Sequence, residues 1–319
     1  MKRIAVLTSG GDAPGMNAAI RAIVRKGLHH GLDIFGVERG YEGLIHCDFM
    51  PLSRNSVSGI ISYGGTTIKT ARSEAFKTHG GFMRAVRNLE DNKIDALIVI
   101  GGDGSMAGAQ KLNEAGIRTM VIPATIDNDM CGTDYTIGFD TALNTVLEAV
   151  NKIRDTAASH ERVAIVEVMG RTAGHIALLS GLACGAEAVM LPEQPLEIDA
   201  LCQQLNESHA RGKQYSIVIV AEGAAKGFDL AAQISKRTSY NPHVTVLGYI
   251  QRGGAPSAMD NIMGSRMGAL AVDALVAGES GCLVASCKSE LLTIPYGEAF
   301  ALKRGIDLSL YELTRILAI

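Results

Sequence analysis

One apolar run that ends in glycine constrains this chain more than any other feature: Asp95-Ala-Leu-Ile-Val-Ile-Gly-Gly-Asp-Gly-Ser105. Ala96 to Ile100 are uninterrupted apolar residues, the character of a strand buried on both faces of a parallel sheet. The run breaks at Gly101-Gly102-Asp103-Gly104, and Ser105 is expected to cap a helix that continues to about Ala115. A glycine turn between strand and helix lets backbone N–H groups approach an anion, and the helix N-terminus adds partial positive charge. A single acid there, Asp103, suits magnesium, because a phosphate chain carried as its magnesium complex needs a hard oxygen ligand. Taken alone, the segment also reads as a tight turn in which Asp103 is a solvated cap.

The same strand–loop–helix pattern recurs. Arg3 to Leu7 is an expected strand, followed by the loop Thr8-Ser-Gly-Gly-Asp-Ala-Pro-Gly15 and a helix from Met16 to His29. Further strands are expected at Asp33 to Val37, Asp95 to Ile100 and Arg118 to Ile122. A long helix from Asp140 to Ala158 interrupts the alternation. Beyond it, strands are expected at Arg162 to Val168, Glu187 to Met190, Tyr215 to Val220 and Val244 to Leu247, with helices at Gly174 to Ala183, Asp199 to Ala210 and Met259 to Ala277. Two short strands, Cys282 to Ser286 and Leu291 to Ile294, and a helix from Leu308 to Leu317 complete the chain. The fold class is therefore α/β: two similar doubly wound α/β/α domains with mainly parallel sheets and an active-site cleft between them. A length of 319 residues with 47% apolar content suits two domains of ordinary size. The net charge of −3 gives no argument for nucleic acid or a membrane surface. The six cysteines are scattered, with no Cys-x-x-Cys pair, which fits a reduced, cytoplasmic setting better than a disulfide or zinc framework.

In an open parallel sheet the C-terminal strand ends gather at one edge, where ligands bind. Gly11, after the first strand, can present an N–H to phosphate with no Cβ in the way. After the strand at Arg118 comes Pro123-Ala-Thr-Ile-Asp-Asn-Asp129. Asp127 and Asp129 are two apart and would share one side of an extended segment. Phosphoryl transfer to an alcohol needs the hydroxyl positioned, its proton accepted and the phosphate charge balanced. Asp127 is the candidate base and Thr125 a candidate to orient it. A capped turn is the bland alternative. Arg72, after Gly64-Gly65-Thr-Thr, is a candidate phosphate clamp, because guanidinium bridges phosphate oxygens. Arg171 and Arg252 stand in similar strand-end loops. Glu222 ends another strand and suits sugar hydroxyls, or is an ordinary exposed acid. A second basic set, Arg21, Arg25, Arg54, Arg154, Arg211 and Lys213, lies away from these ends. From spacing alone it reads as a solvated face.

Together, Thr8-Ser-Gly-Gly-Asp-Ala-Pro-Gly-Met-Asn17, Gly101-Gly-Asp-Gly-Ser105, Pro123-x-Thr-Ile-Asp-Asn-Asp129, Glu167-Val-Met-Gly-Arg171 and Gln251-Arg-Gly-Gly254 resemble the bacterial ATP-dependent 6-phosphofructokinases, in order and across essentially the whole chain. The resemblance implies the transfer of the γ-phosphoryl group of Mg-ATP to fructose 6-phosphate, a glycolytic step, with Mg2+ near Asp103. It implies an ATP site at Gly11, Arg72, Ser73, Gly102, Asp103, Gly104 and Ser105. It implies a sugar-phosphate site at Thr125, Ile126, Asp127, Arg162, Met169, Gly170, Arg171, Glu222, His243, Tyr249 and Arg252, with Asp127 as base and Asp129, Arg72 and Arg171 assisting. It also implies a homotetramer, a dimer of dimers, in which Arg162 reaches the sugar phosphate of a neighbouring subunit. Regulation by ADP or GDP and by phosphoenolpyruvate is implied too, at Arg21, Arg25, Arg54, Arg154, Gly185, Glu187, Arg211 and Lys213. That reverses the reading of the second basic set from spacing. The implied division is an ATP-binding domain of residues 1–138 plus 251–301 and a sugar-phosphate domain of residues 139–250 plus 302–319.

The chain departs from the family pattern at four positions. His243 stands where the family usually has Arg in the 6-phosphate pocket, and Tyr249 where it usually has His. Ala124 replaces the usual Gly of the ATP-using branch. The pyrophosphate-using branch has Lys there and Asp in place of Gly104, so ATP is still the expected donor. Ser73 replaces a common aromatic near the nucleotide. An imidazole loses charge near neutral pH and a guanidinium does not, so weaker and pH-dependent sugar-phosphate affinity is expected, or a changed sugar or donor preference. Competing readings are a lipid or NAD kinase, which shares the Gly-Gly-Asp-Gly loop but not the other motifs, and a non-catalytic sugar-phosphate sensor, which needs neither Asp103 nor Asp127.

Overall fold

The structure, a computed structural model, describes residues 1–195 and 197–318, so Leu196 and Ile319 (the last residue of the expected sugar-phosphate domain) lie outside the described residues. In chain order the elements are β1 (Arg3–Ser9), α1 (Met16–His29), β2 (Asp33–Val37), α2 (Gly40–His46), β3 (Phe49–Leu52), α3 (His79–Asp91), β4 (Ala96–Gly101), α4 (Asp103–Glu114), β5 (Arg118–Pro123) and α5 (Phe139–Ser159). There follow β6 (Val163–Val168), α6 (His175–Cys184), β7 (Ala188–Met190), α7 (Ile198–Ala210), β8 (Ser216–Ala221), α8 (Gly227–Arg237), β9 (His243–Val246), α9 (Ala258–Ala277), β10 (Cys282–Cys287), β11 (Glu290–Pro295), α10 (Tyr296–Ala301) and α11 (Leu308–Leu317). The chain is a mixed α/β protein built on parallel sheets, and it forms two compact units.

The first unit comprises Met1–Thr125, Met130–Thr141 and Arg252–Arg304. Its sheet has the order β11-β10-β5-β4-β1-β2-β3, parallel except at the two edges, where β11 and β3 run antiparallel to their neighbours. All six residues of β4 are buried, as its apolar run dictates for a strand covered on both faces. β4 lies directly beside β1, with Ile4 opposite Ala96 and Ser9 opposite Gly101. The strand order reverses between β1 and β4, the topological switch point at which doubly wound sheets open a crevice for ligands.

The second unit comprises Ile126–Asp129, Ala142–Gln251 and the chain from Gly305. Its four strands, in the order β7-β8-β6-β9, are all parallel. β6 and β8 are central and fully buried, whereas β9 is a partly exposed edge. Among the described residues, no helix is long and apolar enough to cross a membrane.

Two local expectations are corrected. Ser105 is not the cap of α4, which begins at Asp103 with Gly102 in the cap position. The buried Ser105 hydroxyl instead donates to the Ser9 carbonyl, 3.1 Å away, and ties α4 to the end of β1. Nor is the Asp127–Asp129 segment extended. It turns at Ile126 and Asp127, and Asn128 adopts φ 52°, so strand alternation does not relate the two acids.

Candidate active site

Within the first unit, the loops after β1, β4 and β5 are joined backbone to backbone and through short polar side chains. Ala124 N–H donates to the Gly101 carbonyl at 3.0 Å, which keeps the end of β5 in register with β4. The Gly10 carbonyl accepts from Thr70 Oγ1 at 3.0 Å, bringing in the segment that carries the exposed Arg72. Gly102 and Gly104 open α4, Gly104 is exposed, and a Cβ built on Gly104 would meet nothing within 4 Å. Asp103, half-buried, begins the helix. Thr125 is half-buried and neighbours Gly102, whose added Cβ would lie 4.0 Å from the Thr125 Cβ. Arg252, grouped with the sugar site by resemblance, has its guanidinium 3.5–3.7 Å from where a Gly11 Cβ would stand. The unit thus brings Gly11, Arg72, Gly102–Ser105, Thr125 and Arg252 to its strand-end loops.

Ser73 donates to Glu42 Oε2 at 2.5 Å and accepts from the Phe76 N–H at 3.1 Å. The Ser73 hydroxyl bond, helped by His46 and Arg39, holds the Glu42 carboxyl below its usual range. Ser73 therefore fixes the turn after Arg72.

Asn17 closes the Thr8–Asn17 motif, and the sequence alone gives it no role. It is 1% exposed. Its Nδ2 donates to the Tyr63 carbonyl at 3.0 Å and the Gly64 carbonyl at 3.3 Å, and its Oδ1 accepts from Thr67 N–H at 2.8 Å. A Cβ on Gly64 would stand 2.3 Å from the Gly254 carbonyl oxygen, so this loop seats directly on the one that carries Arg252. The signal for Asn17 was an amide among apolar helix residues; its partners, about 50 residues away, gave none. Asn17→Ala leaves the bonded groups unsatisfied and is expected to cost about 1–3 kcal/mol of stability, read as a lowered melting temperature.

In the second unit, the loops after β6 and β8 are adjacent. Met169 and Gly170 are buried and Arg171 is exposed. Arg171 N–H donates to Glu222 Oε1 at 3.0 Å, and Met169 N–H donates to Gln251 Oε1 at 3.2 Å. Gln251, 0% exposed, also donates to the Gly248 carbonyl at 3.0 Å. Asp127 is 3% exposed and Ile126 2%, while Asp129 is half-buried. Tyr249, 79% exposed, follows β9. Arg162 and His243, both exposed, lie at the opposite ends of their strands: Ala164 pairs with His243 in the parallel β6–β9 ladder. At roughly 3.3 Å per residue the length of β6 separates Arg162 from Met169 by about 20 Å.

The second basic set is divided between the units. In the second, Arg154 donates to the Cys184 carbonyl, and Lys213 pairs with Glu187, a buried carboxylate that also accepts from Ile217 N–H. Gly185 turns between them at φ 63°, and Arg211 pairs with Glu207 at 3.5 Å. In the first, Arg21 and Arg25 lie on α1 and Arg54 is exposed after β3.

A doubly wound parallel sheet with glycine loops at its switch point, followed by an acid-bearing loop, defines an α/β protein whose strand ends suit a phosphate-bearing ligand. The sequence pattern of the family described as "Phosphofructokinase" matches residues 3–275. The chain belongs to the phosphofructokinase family. It is 54% identical over 319 residues, covering all of both chains, to the ATP-dependent 6-phosphofructokinase of Brevibacillus brevis, and 52% identical, again over both full lengths, to that of Halalkalibacterium halodurans. Among solved structures it is similar to Pichia pastoris phosphofructokinase in the T-state, with a TM-score of 0.90 and 36% identity. That match covers 94% of this chain and 35% of the Pichia chain, so the chain spans about a third of that protein. A pyrophosphate-dependent phosphofructokinase from Marinobacter aquaeolei shares the fold, with a TM-score of 0.86, 22% identity, and 97% and 86% of the two chains covered.

Proposed function

We propose that this chain transfers the γ-phosphoryl group of Mg-ATP to the 1-hydroxyl of fructose 6-phosphate, giving fructose 1,6-bisphosphate and ADP. The observation that carries the reading is the meeting of the β1, β4 and β5 loops at the switch point, where Thr125 leads straight into the loop bearing Asp127. The names of the full-length bacterial relatives support it. In this reading the first unit is the nucleotide domain, with Gly11, Arg72, Ser73 and Gly102–Ser105 at ATP. The second holds the sugar phosphate through Ile126, Met169, Gly170, Arg171, Glu222 and Tyr249.

Asp127 takes the proton of the 1-hydroxyl as its oxygen bonds to the γ-phosphorus. The bond from that phosphorus to the β–γ bridging oxygen breaks, and ADP leaves with the electron pair. Thr125 and Asp129 orient the acid's loop. Arg72, Arg171 and Arg252 supply fixed positive charge, needed because the transferring group spreads its charge over equatorial oxygens. Asp103 offers a hard carboxylate oxygen at the open glycine loop, a donor suited to Mg2+ that keeps most of its ligands from phosphate and water. When bound, Mg2+ would neutralise the phosphate chain.

About 20 Å between Arg162 and Met169, by the strand rise used above, is too far for one sugar phosphate to bridge. This supports a shared site, in which Arg162 and His243 serve the sugar phosphate of a second copy within a homotetramer. Exposed Val246 and Phe228 around edge strand β9 agree with that arrangement. Arg21, Arg25, Arg54, Arg154, Gly185, Glu187, Arg211 and Lys213 form the inferred effector set for ADP or GDP and phosphoenolpyruvate, and the Arg154, Lys213 and Glu187 bonds around the Cys184–Glu187 turn support it.

Initial rates with Mg-ATP and fructose 6-phosphate, run beside pyrophosphate and tagatose 6-phosphate, test the reading. Rapid turnover with the first pair supports it. Turnover only with another donor or sugar would mark an altered pocket, and none with any would favour a sensor. A second expectation concerns His243. His243→Arg, which places a permanently charged fork at this exposed position, should tighten apparent sugar-phosphate affinity. An apparent affinity unchanged in His243→Arg would sink this account of the residue.

A further inference from the structure

Asp260, on the first turn of α9, is 0% exposed. Burying a carboxylate is costly unless donors surround it, and here nearly all the donors come from one segment. Its Oδ1 accepts from Tyr135 OH at 2.6 Å and Gly138 N–H at 2.6 Å; its Oδ2 accepts from Thr141 N–H at 2.8 Å and Thr141 Oγ1 at 2.5 Å. Burial pushes the Asp260 carboxyl up, against the pull of these bonds, and pushes the Tyr135 phenol well up too. Helix capping does not account for the set, because Ser257 already caps α9 by accepting from Asp260 N–H at 3.2 Å.

The segment that Asp260 grips is itself bonded to the end of β5. Thr136 Oγ1 donates to the Thr125 carbonyl at 2.6 Å, and Ile137 N–H donates to the Pro123 carbonyl at 3.0 Å. Ile137 also forms a parallel bridge with Ala124. On its other side Asp260 abuts the turn before α1, where a Gly15 Cβ would come 3.1 Å from the Asp260 Cβ and 2.6 Å from Ile137 Cγ2. Ser257 N–H, at the end of the loop that carries Arg252, donates to Thr141 Oγ1 at 2.9 Å. The Asp260 carboxylate therefore binds residues 135–141, Thr141 in turn accepts from Ser257 at the end of the Arg252 loop, and Asp260 packs by its Cβ and backbone against the turn before α1.

We infer that Asp260 is a positioning residue for phosphoryl transfer, which acts through Tyr135–Thr141 to hold Pro123–Thr125, the strand end from which the chain continues into Asp127. The inference rests on the kinase reading above. Displacing a reacting group by about 1 Å costs on the order of a hundredfold in rate, so a buried clamp on this strand end sets kcat rather than nucleotide affinity.

The test is Asp260→Asn, which keeps the volume but turns one acceptor into a donor that faces either the Gly138 or the Thr141 N–H. In the folded variant kcat should fall about 10- to 100-fold, with KM for Mg-ATP within about threefold of the parent. Amide exchange of residues 123–141 should quicken by about tenfold or more. A purely structural role would lower the melting temperature and leave the kcat of the folded protein unchanged, and that result overturns the inference, as does unchanged exchange. Should Asp260→Asn fail to fold, Tyr135→Phe removes one donor alone; slower turnover with quicker exchange supports the clamp, and parental values of both overturn it. If the parent enzyme turns over none of the offered substrates, the kinase reading fails, while exchange in the two variants still decides whether Asp260 holds the strand end.

Discussion

Asp127→Asn is expected to lower kcat by about 10²- to 10⁴-fold while leaving sugar-phosphate binding within a few-fold of the parent. The substitution preserves shape and an acceptor oxygen, so a loop of which Ile126, Asp127 and Asn128 are all at most 3% exposed need not repack. What it removes, on the mechanism proposed above, is the ability to take a proton from the attacking hydroxyl. Phosphoryl transfer asks the protein for positioning and charge balance and for little covalent chemistry. The residual rate should therefore reflect the arginines and the nucleotide loops, which the substitution does not touch. Steady-state kcat and calorimetric titration with fructose 6-phosphate, on the same preparation, separate the outcomes. A sensor would bind as before and show no turnover to lose. A kcat within about threefold of the parent would assign the proton to another group.

The order of strands and helices was legible because it follows from local rules. The helix Met16–His29 and the strand Asp33–Val37 have the bounds read from apolar periodicity, and most other elements differ by a residue or two. The edge strand Phe49–Leu52 and the helices Gly40–His46, His79–Asp91 and Gly227–Arg237 were not singled out. A four-residue strand containing Pro51 carries little pattern, and the His79–Asp91 helix has glycine at its second and third positions. The strand-end loops were visible as glycines after apolar runs, but the polar residues that fix them were not. Asn17, Gln251 and Asp260 act on groups about 50, 80 and 120 residues away, and a single sequence has no signal for such pairings. Ser105 was misread for a related reason. Its type suits a cap, but a carbonyl from β1, 96 residues earlier, takes its hydroxyl, and glycine accepts the cap position where a ligand is expected to approach. The Asp127–Asp129 spacing misled because alternation assumes extended backbone, and Asn128 at φ 52° breaks it.

Gly223→Ala is expected to cost about 1–3 kcal/mol of stability, as overpacking typically does, and, in the folded protein, to lower kcat/KM for sugar phosphate on the order of a hundredfold, the loss that follows a displacement of about 1 Å at a site. A Cβ on Gly223 would stand 2.1 Å from the Arg171 carbonyl oxygen, 3.2 Å from its carbon and 3.4 Å from Thr172 Cα. All three atoms are backbone, so no side chain can swing aside. The peptide after Arg171 must move, and that peptide is already constrained. Arg171 adopts φ 55° and Gly170 φ 139°, conformations held in place by the bond from Arg171 N–H to Glu222 Oε1. Displacing Arg171 therefore disturbs the guanidinium and the Glu222 carboxylate together, although neither residue is altered. KM for Mg-ATP should stay within about twofold, because sites without shared partners respond independently and the loops proposed to hold ATP belong to the first unit. Gly80→Ala is the control, since a Cβ there meets nothing within 4 Å. If both variants keep the parental KM for sugar phosphate, the Met169–Arg171 turn is only a turn and the sugar site lies elsewhere. A loss confined to Gly223→Ala, with ATP affinity intact, would tie Arg171 and Glu222 to the acceptor substrate through the one contact the glycine permits.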